Sequence, residues 1–248
     1  MLIVNNSANF SGMPAFGGIA LSPNLVFGLR ATSPTNTVNL SDKPNKAVIT
    51  SNTVKYSTAG IIGNSVNFLG TSFKPPATSL TFKTVCKFTD MPPDAAVVIG
   101  VLGDLTGDAG IGLVLSVIPN GSNFDYELRL YAGANNGTSL RTARYKFATN
   151  VKISASATLN IWAKIDDATD TTYIKVNDGP WVESRFTGDD LANRADGNWL
   201  IGKTPRFATS AGTNVLISEV LVWDKILTSA EIDQQNKLSQ RWLSTLAQ

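Results

Sequence analysis

The chain has 248 residues, 43% of them hydrophobic, and a formal net charge of +2, which is enough apolar material for a full core in a length that sandwiches often fill as one domain. It has no histidine, which removes Ser-His-Asp chemistry and His-ligated zinc, and its lysines and arginines are scattered rather than gathered into a nucleic-acid-binding stripe. The single Cys86 cannot close an internal disulfide, and no apolar run is long enough to cross a bilayer.

Residues 1 to 24 are rich in Asn, Ser, Gly and Pro, with Phe10, Met13 and Phe16 spaced through them, and follow neither the helix nor the strand period. Two readings stand: an arm that docks on a neighbour, or an edge strand and covering loop of the same domain. The stretch MLIVNNSANF has no positively charged leader and only four apolar residues before Asn5, so no signal peptide is expected.

From Leu25 the pattern becomes that of an all-β protein. Leu25, Phe27 and Leu29 alternate with Val26, Gly28 and Arg30, and short runs follow at 47–56, 65–70 and 80–88 between turn residues. Cys86 shares an alternating face with Leu80, Phe82 and Phe88, which predicts an inert buried thiol. The runs 95–102 and 111–118 are apolar throughout, as strands covered on both faces are, so both are predicted to be central. Phe124, Tyr126, Leu128 and Leu130 alternate with Asp125, Glu127, Arg129 and Tyr131, predicting a strand with one wet face. Residues 144–149 return from its turn, and 215–224 again reads as a central strand.

The one convincing helix follows. In Thr228-Ser-Ala-Glu231 the hydroxyl can accept from the third backbone N–H while the carboxylate reaches back, a capping box with Leu227 and Ile232 placed as a hydrophobic staple. Ile232, Leu238, Trp242, Leu243 and Leu246 fall on a stripe roughly 140° wide, with Asp233, Gln234, Lys237 and Arg241 elsewhere, so the helix is predicted to dock on something apolar. About a dozen strands and one terminal helix, with no alternating helices, predict an all-β, two-sheet antiparallel jelly-roll sandwich. Residues 25–248 are expected to form that domain, with 1–24 as an arm or covering segment.

The run EVLVWDKILTSAEI, from Glu219 to Ile232, resembles the closing signature of laminin-G-like domains in the concanavalin A-like lectin/glucanase superfamily. The pair of stretches 161–166 and 172–179, with WLIG at 199–202, is similar to that family's central hairpin and a further strand. The resemblance covers about residue 65 to residue 246. It implies a jelly roll, and, because such domains with a capped terminal helix occur in bacteriophage virion proteins, it implies a virion setting. The expectation is a tail, fibre or baseplate component made in the host cytoplasm, oligomeric within its assembly, whose partners are other virion proteins or a cell-surface glycan. Neither nucleic acid nor membrane insertion is expected.

Glucanases of the superfamily carry acids on alternate positions of one strand so that two carboxylates flank the glycosidic bond. The nearest match is Asp125-Tyr-Glu127-Leu-Arg129, whose third position is arginine, and the chain has only four glutamates. No catalytic residue is assigned, and a glycosidase is the minority reading. Calcium (Ca2+) is held by many laminin-G-like domains at the sheet rim, and Asp104 and Asp108 share the Gly103–Gly110 loop as candidate ligands. For sugar binding the indole of Trp181 is the least explained by packing, with Tyr131 on its wet face and Trp199 as further aromatics. The loop 187–197 offers Asp189, Asp190, Asn193 and Arg194 as hydrogen-bonding groups. The rival to glycan recognition is a purely structural virion subunit that contacts only other particle proteins.

Overall fold

The computed structural model describes residues 24–89, 97–106, 109–133, 140–151, 158–185, 197–206 and 214–246. The segment 1–23, on which the expected arm falls, lies outside them. Among the described residues there are fifteen strands: β1 (Leu25–Leu29), β2 (Ile49–Asn52), β3 (Lys55–Ser57), β4 (Gly60–Gly63), β5 (Leu69–Thr71), β6 (Leu80–Thr89), β7 (Val97–Gly103), β8 (Gly110–Asn120), β9 (Asn123–Gly133), β10 (Leu140–Val151), β11 (Leu159–Asp166), β12 (Thr171–Val176), β13 (Val182–Arg185), β14 (Leu200–Ile201) and β15 (Asn214–Trp223). A single α-helix, α1 (Ser229–Leu246), closes the described chain.

The strands form two antiparallel sheets. An eight-stranded sheet runs β13-β12-β11-β6-β15-β4-β3, with β1 also paired to β15, and a seven-stranded sheet runs β10-β9-β8-β7-β14-β5-β2. The continuous apolar runs lie where a strand covered on both faces must lie: β7, β8 and β15 each have strands on both sides. The edge of β15 is shared. Its first half pairs with β4 and its second half with β1, and the register slips at Ser218 between them.

Two features depart from the sequence pattern. The run 47–56 is not one strand, since β2 joins the seven-stranded sheet through β5 while β3 joins the eight-stranded sheet through β4; the chain changes sheets at Thr53 and Val54. The strand β4, Gly-Ile-Ile-Gly, is too short to show a period of its own.

The main core lies between the sheets. Trp199 is fully buried there, edge-on to Phe73 at 5.3 Å and to Phe82 at 5.4 Å, so it is core rather than a sugar platform. Cys86 is buried in the same core, and burial pushes its thiol pKa up. A second, smaller cluster of Leu25, Trp162, Leu221, Trp223, Leu227 and Ile232 sits on the outer face of the eight-stranded sheet. It is the floor on which α1 rests.

Candidate functional site

The outer face of the eight-stranded sheet is built from alternate residues. On β6, Leu80, Phe82, Cys86 and Phe88 point into the main core, so Thr81, Lys83 and Val85 point outward. The ladder pairs bring Trp162 of β11 and Leu221 of β15 beside Lys83, and Lys175 of β12 beside Trp162. The helix covers the middle of this face. Its start is the predicted capping box: Thr228 N–H donates to Glu231 Oε2 at 2.8 Å and Glu231 N–H to Thr228 Oγ1 at 3.3 Å.

The helix docks on charge as well as on apolar surface. Its buried residues are Ile232, Gln235, Ser239 and Trp242, while Leu238, Leu243 and Leu246 are only half-buried. The centre of the apolar stripe is therefore polar, and the reason lies beneath it. Glu219 is fully buried and accepts from Lys83 Nζ at 2.5 Å, from Arg30 Nε at 2.7 Å and from Ser239 Oγ at 2.6 Å. Gln235 in turn donates to Ser239. Arg30 stacks over Trp242 at 5.3 Å and Lys83 over Trp162 at 5.8 Å. Burial pushes the Glu219 carboxyl up, but the two cations and the bonds from Lys83 and Ser239 outweigh it and hold the carboxyl at about 2. Burial also pulls the Lys83 pKa down against the attraction of Glu219. With every charge enclosed, this cluster seats the helix and offers nothing to a ligand.

Beyond the helix the same face opens. Ladder pairs place Lys164 opposite Tyr173, and Tyr173 opposite Glu183. Val182 packs against the main core, so Trp181, one residue earlier, turns outward. Its half-buried indole packs against the cluster under the helix, lies edge-on to Tyr173 at 6.5 Å and sits 4.5 Å from the Lys164 ammonium. The indole therefore has more packing than its position after Asp178-Gly-Pro implied, yet it keeps an open side. Asp189, Asp190, Asn193 and Arg194 lie outside the described residues.

The outer face of the seven-stranded sheet carries the other candidates. Asp125 accepts from Asn120 Nδ2 at 2.9 Å and Lys146 Nζ at 2.8 Å, and Glu127 from Arg129 Nε at 2.7 Å. Asp125, Glu127 and Tyr131 are buried, which corrects the expectation of a wet face. The long β10 lies alongside in the ladder, and Leu105 and Val114 pack on the Tyr131 ring. A phenol so enclosed has no face for a sugar to stack on.

Asp104 lies at the end of β7. Gly103 before it has φ +134°, and a Cβ there would stand 2.2 Å from the Ile111 carbonyl, so only glycine makes this turn. Asp104 is buried, and its Oδ1 accepts from the Ile111 N–H at 2.8 Å. One candidate calcium oxygen is thus spent on closing its own loop. Asp108 lies outside the described residues, and among those described no cluster of three or more metal-ligating side chains occurs.

This architecture, two antiparallel sheets closed by a C-terminal helix, is the β-sandwich class expected from the strand pattern. No family model matches the chain, and no curated protein matches it. Solved structures do. The chain is similar to the binding domain of botulinum neurotoxin DC in complex with SialylT, at TM-score 0.66 and 9% identity over 88% of this chain and 52% of that one. It is similar to the same toxin's binding domain in complex with rat synaptotagmin II, at 0.62 and 8% over 87% and 52%. A third, described as cell entry of botulinum neurotoxin type C depending on interaction with two ganglioside molecules, gives 0.60 and 11% over 87% and 51%. The chain spans about half the length of these structures, and at such identities the likeness establishes the fold alone.

Proposed function

We propose that this protein is a non-catalytic recognition module that binds a glycan at the open part of the eight-stranded sheet's outer face. One observation carries the reading: the half-exposed Trp181 indole stands between Tyr173 and Lys164, with Lys175 and Glu183 alongside, neither of which has a hydrogen-bond or ion-pair partner among the described residues. A stacking surface beside an unpaired donor and an unpaired acceptor is what a sugar needs. Asp189, Asp190, Asn193 and Arg194, which follow β13 in the sequence, belong to the same proposal. The solved binding domains with SialylT and ganglioside in their descriptions support it as analogy. The acids of the glucanase-like run speak against hydrolysis, since each is engaged by Lys146, Asn120 or Arg129.

The setting we propose is a phage virion, from the laminin-G-like resemblance. Within it the purely structural reading is favoured by Leu238, Leu243 and Leu246, which leave apolar surface along the flank of α1 only half-covered. No helix among the described residues is long and apolar enough to cross a membrane. A glycan array separates the readings. Glycan recognition predicts binding that Trp181→Ala abolishes, with a melting temperature lowered by only a few degrees, because the indole also packs. Absence of binding by the parent protein leaves the structural reading in place.

A further inference from the structure

The charge beside Trp181 says which glycan. Lys164 and Lys175 are diagonal neighbours on adjacent strands, Lys164 opposite Tyr173 and Lys175 two residues on, where Cβ atoms lie about 7–8 Å apart. Both point outward and both are half-buried. Among the described residues neither ammonium has a carboxylate within ion-pair distance or a hydrogen-bond acceptor, and the only group over Lys164 is the indole. Their proximity is felt: partial burial lowers the Lys164 pKa, Asp166 raises it and Lys175 lowers it further.

Two carboxylates share the face, and neither forms an ion pair with the lysines, although Asp166 acts on Lys164 from a distance. Asp166 accepts from Ser79 Oγ at 3.3 Å, Ala168 N–H at 3.1 Å and Thr169 Oγ1 at 2.9 Å, so its oxygens are taken up by the turn. Glu183 is exposed and opposite Tyr173. Elsewhere in the molecule Lys83 is matched to Glu219, Lys146 to Asp125 and Lys225 to Glu231, whereas half-buried Lys87 and Lys203, like Lys164 and Lys175, have no ion pair among the described residues. Two ammoniums that repel one another beside an aromatic ring, with no carboxylate at ion-pair distance from either, are relieved further by an anion placed between them.

We infer that the ligand at Trp181 is an acidic sugar, its ring on the indole and its anionic group between Lys164 and Lys175. This rests on the glycan reading above and names the substrate class for it. Glu183 then meets the sugar's hydroxyls rather than its charge.

Isothermal titration of the full chain with 3′-sialyllactose, lactose 3′-sulfate and lactose tests the inference, because the three share a core and differ in the anion. An acidic ligand predicts binding at least about tenfold tighter for one or both charged sugars than for lactose, weakening as salt rises from about 50 to 300 mM. Preference between the two identifies the anion as carboxylate or sulfate. Lys175→Gln should remove most of that preference with an unchanged melting temperature. Equal binding of all three sugars, with no effect of Lys175→Gln but loss in Trp181→Ala, overturns the acidic inference while keeping the glycan site. No binding of any sugar overturns both.

Discussion

The two outer faces of this sandwich each carry carboxylates beside cations, and they use them differently. Under α1, Glu219 is sealed between Arg30, Lys83 and Ser239. On the opposite sheet Asp125 and Glu127 hold Lys146 and Arg129 at side chains that still reach water, Lys146 being 49% and Arg129 20% exposed. A sealed ion cluster is costly to assemble and more costly to break, because removing one partner strands a charge in low dielectric. A pair whose cation still reaches water is worth less, because water can replace the lost partner of that cation. Acidic residues in a glucanase-like position are thus accounted for by ion pairing. The proposed binding site lies instead where Lys164 and Lys175 lack ion-pair partners among the described residues.

Breaking the cluster should produce the largest effect. Glu219→Gln leaves Arg30 and Lys83 buried without a counter-charge and should cost about 3–5 kcal/mol at neutral pH in urea unfolding. The same group sets an acid limit. Its folded carboxyl lies at about 2 against an ordinary 4.5, and a depressed carboxylate contributes stability that is complete above the ordinary value and lost as pH falls toward the folded one. Stability of the parent should therefore decline between pH 4.5 and 2, and that part of the decline should vanish in Glu219→Gln. Trp242→Ala removes the apolar anchor of the same helix and the ring over Arg30, and should cost about 3 kcal/mol by thermal melting. Thr228→Ala, which opens the capping box, should cost about 1 kcal/mol. Glu127→Gln on the other face should cost at most about 1 kcal/mol, with no change in reducing-sugar release. A loss as large as that of Glu219→Gln would erase the contrast between the faces.

Much of the fold was legible because strand and helix periods were strong. The central positions of β7, β8 and β15 followed from unbroken apolar runs, and the start of α1 from four residues of capping chemistry. What was not legible depended on contacts distant in sequence. The division of 47–56 between two sheets is decided by β4 and β5, not by its own Thr and Ser residues. The face of β9 read as wet from alternation alone, whereas Leu105 and Val114 cover Tyr131 and ion pairs with Lys146 and Arg129 occupy Asp125 and Glu127. The polar centre of the helix stripe was missed by attending only to apolar residues, although a clue existed: a glutamate in a strand covered on both faces must find a partner. Of the candidate site, Trp181 was found as the indole least explained by packing. The pairing state of Lys164 and Lys175 required the ladder between β11 and β12.

The proposed site lies on one side of the sandwich and uses one of five tryptophans. Four of them, Trp162, Trp199, Trp223 and Trp242, are buried, so the indole N–H signals in a two-dimensional NMR spectrum separate the possibilities directly. Titration with a bound acidic glycan should shift the Trp181 indole resonance and leave the other four in place. Movement of a buried indole instead, or glycan binding that leaves all five unmoved, would contradict the assignment of this face as the binding surface.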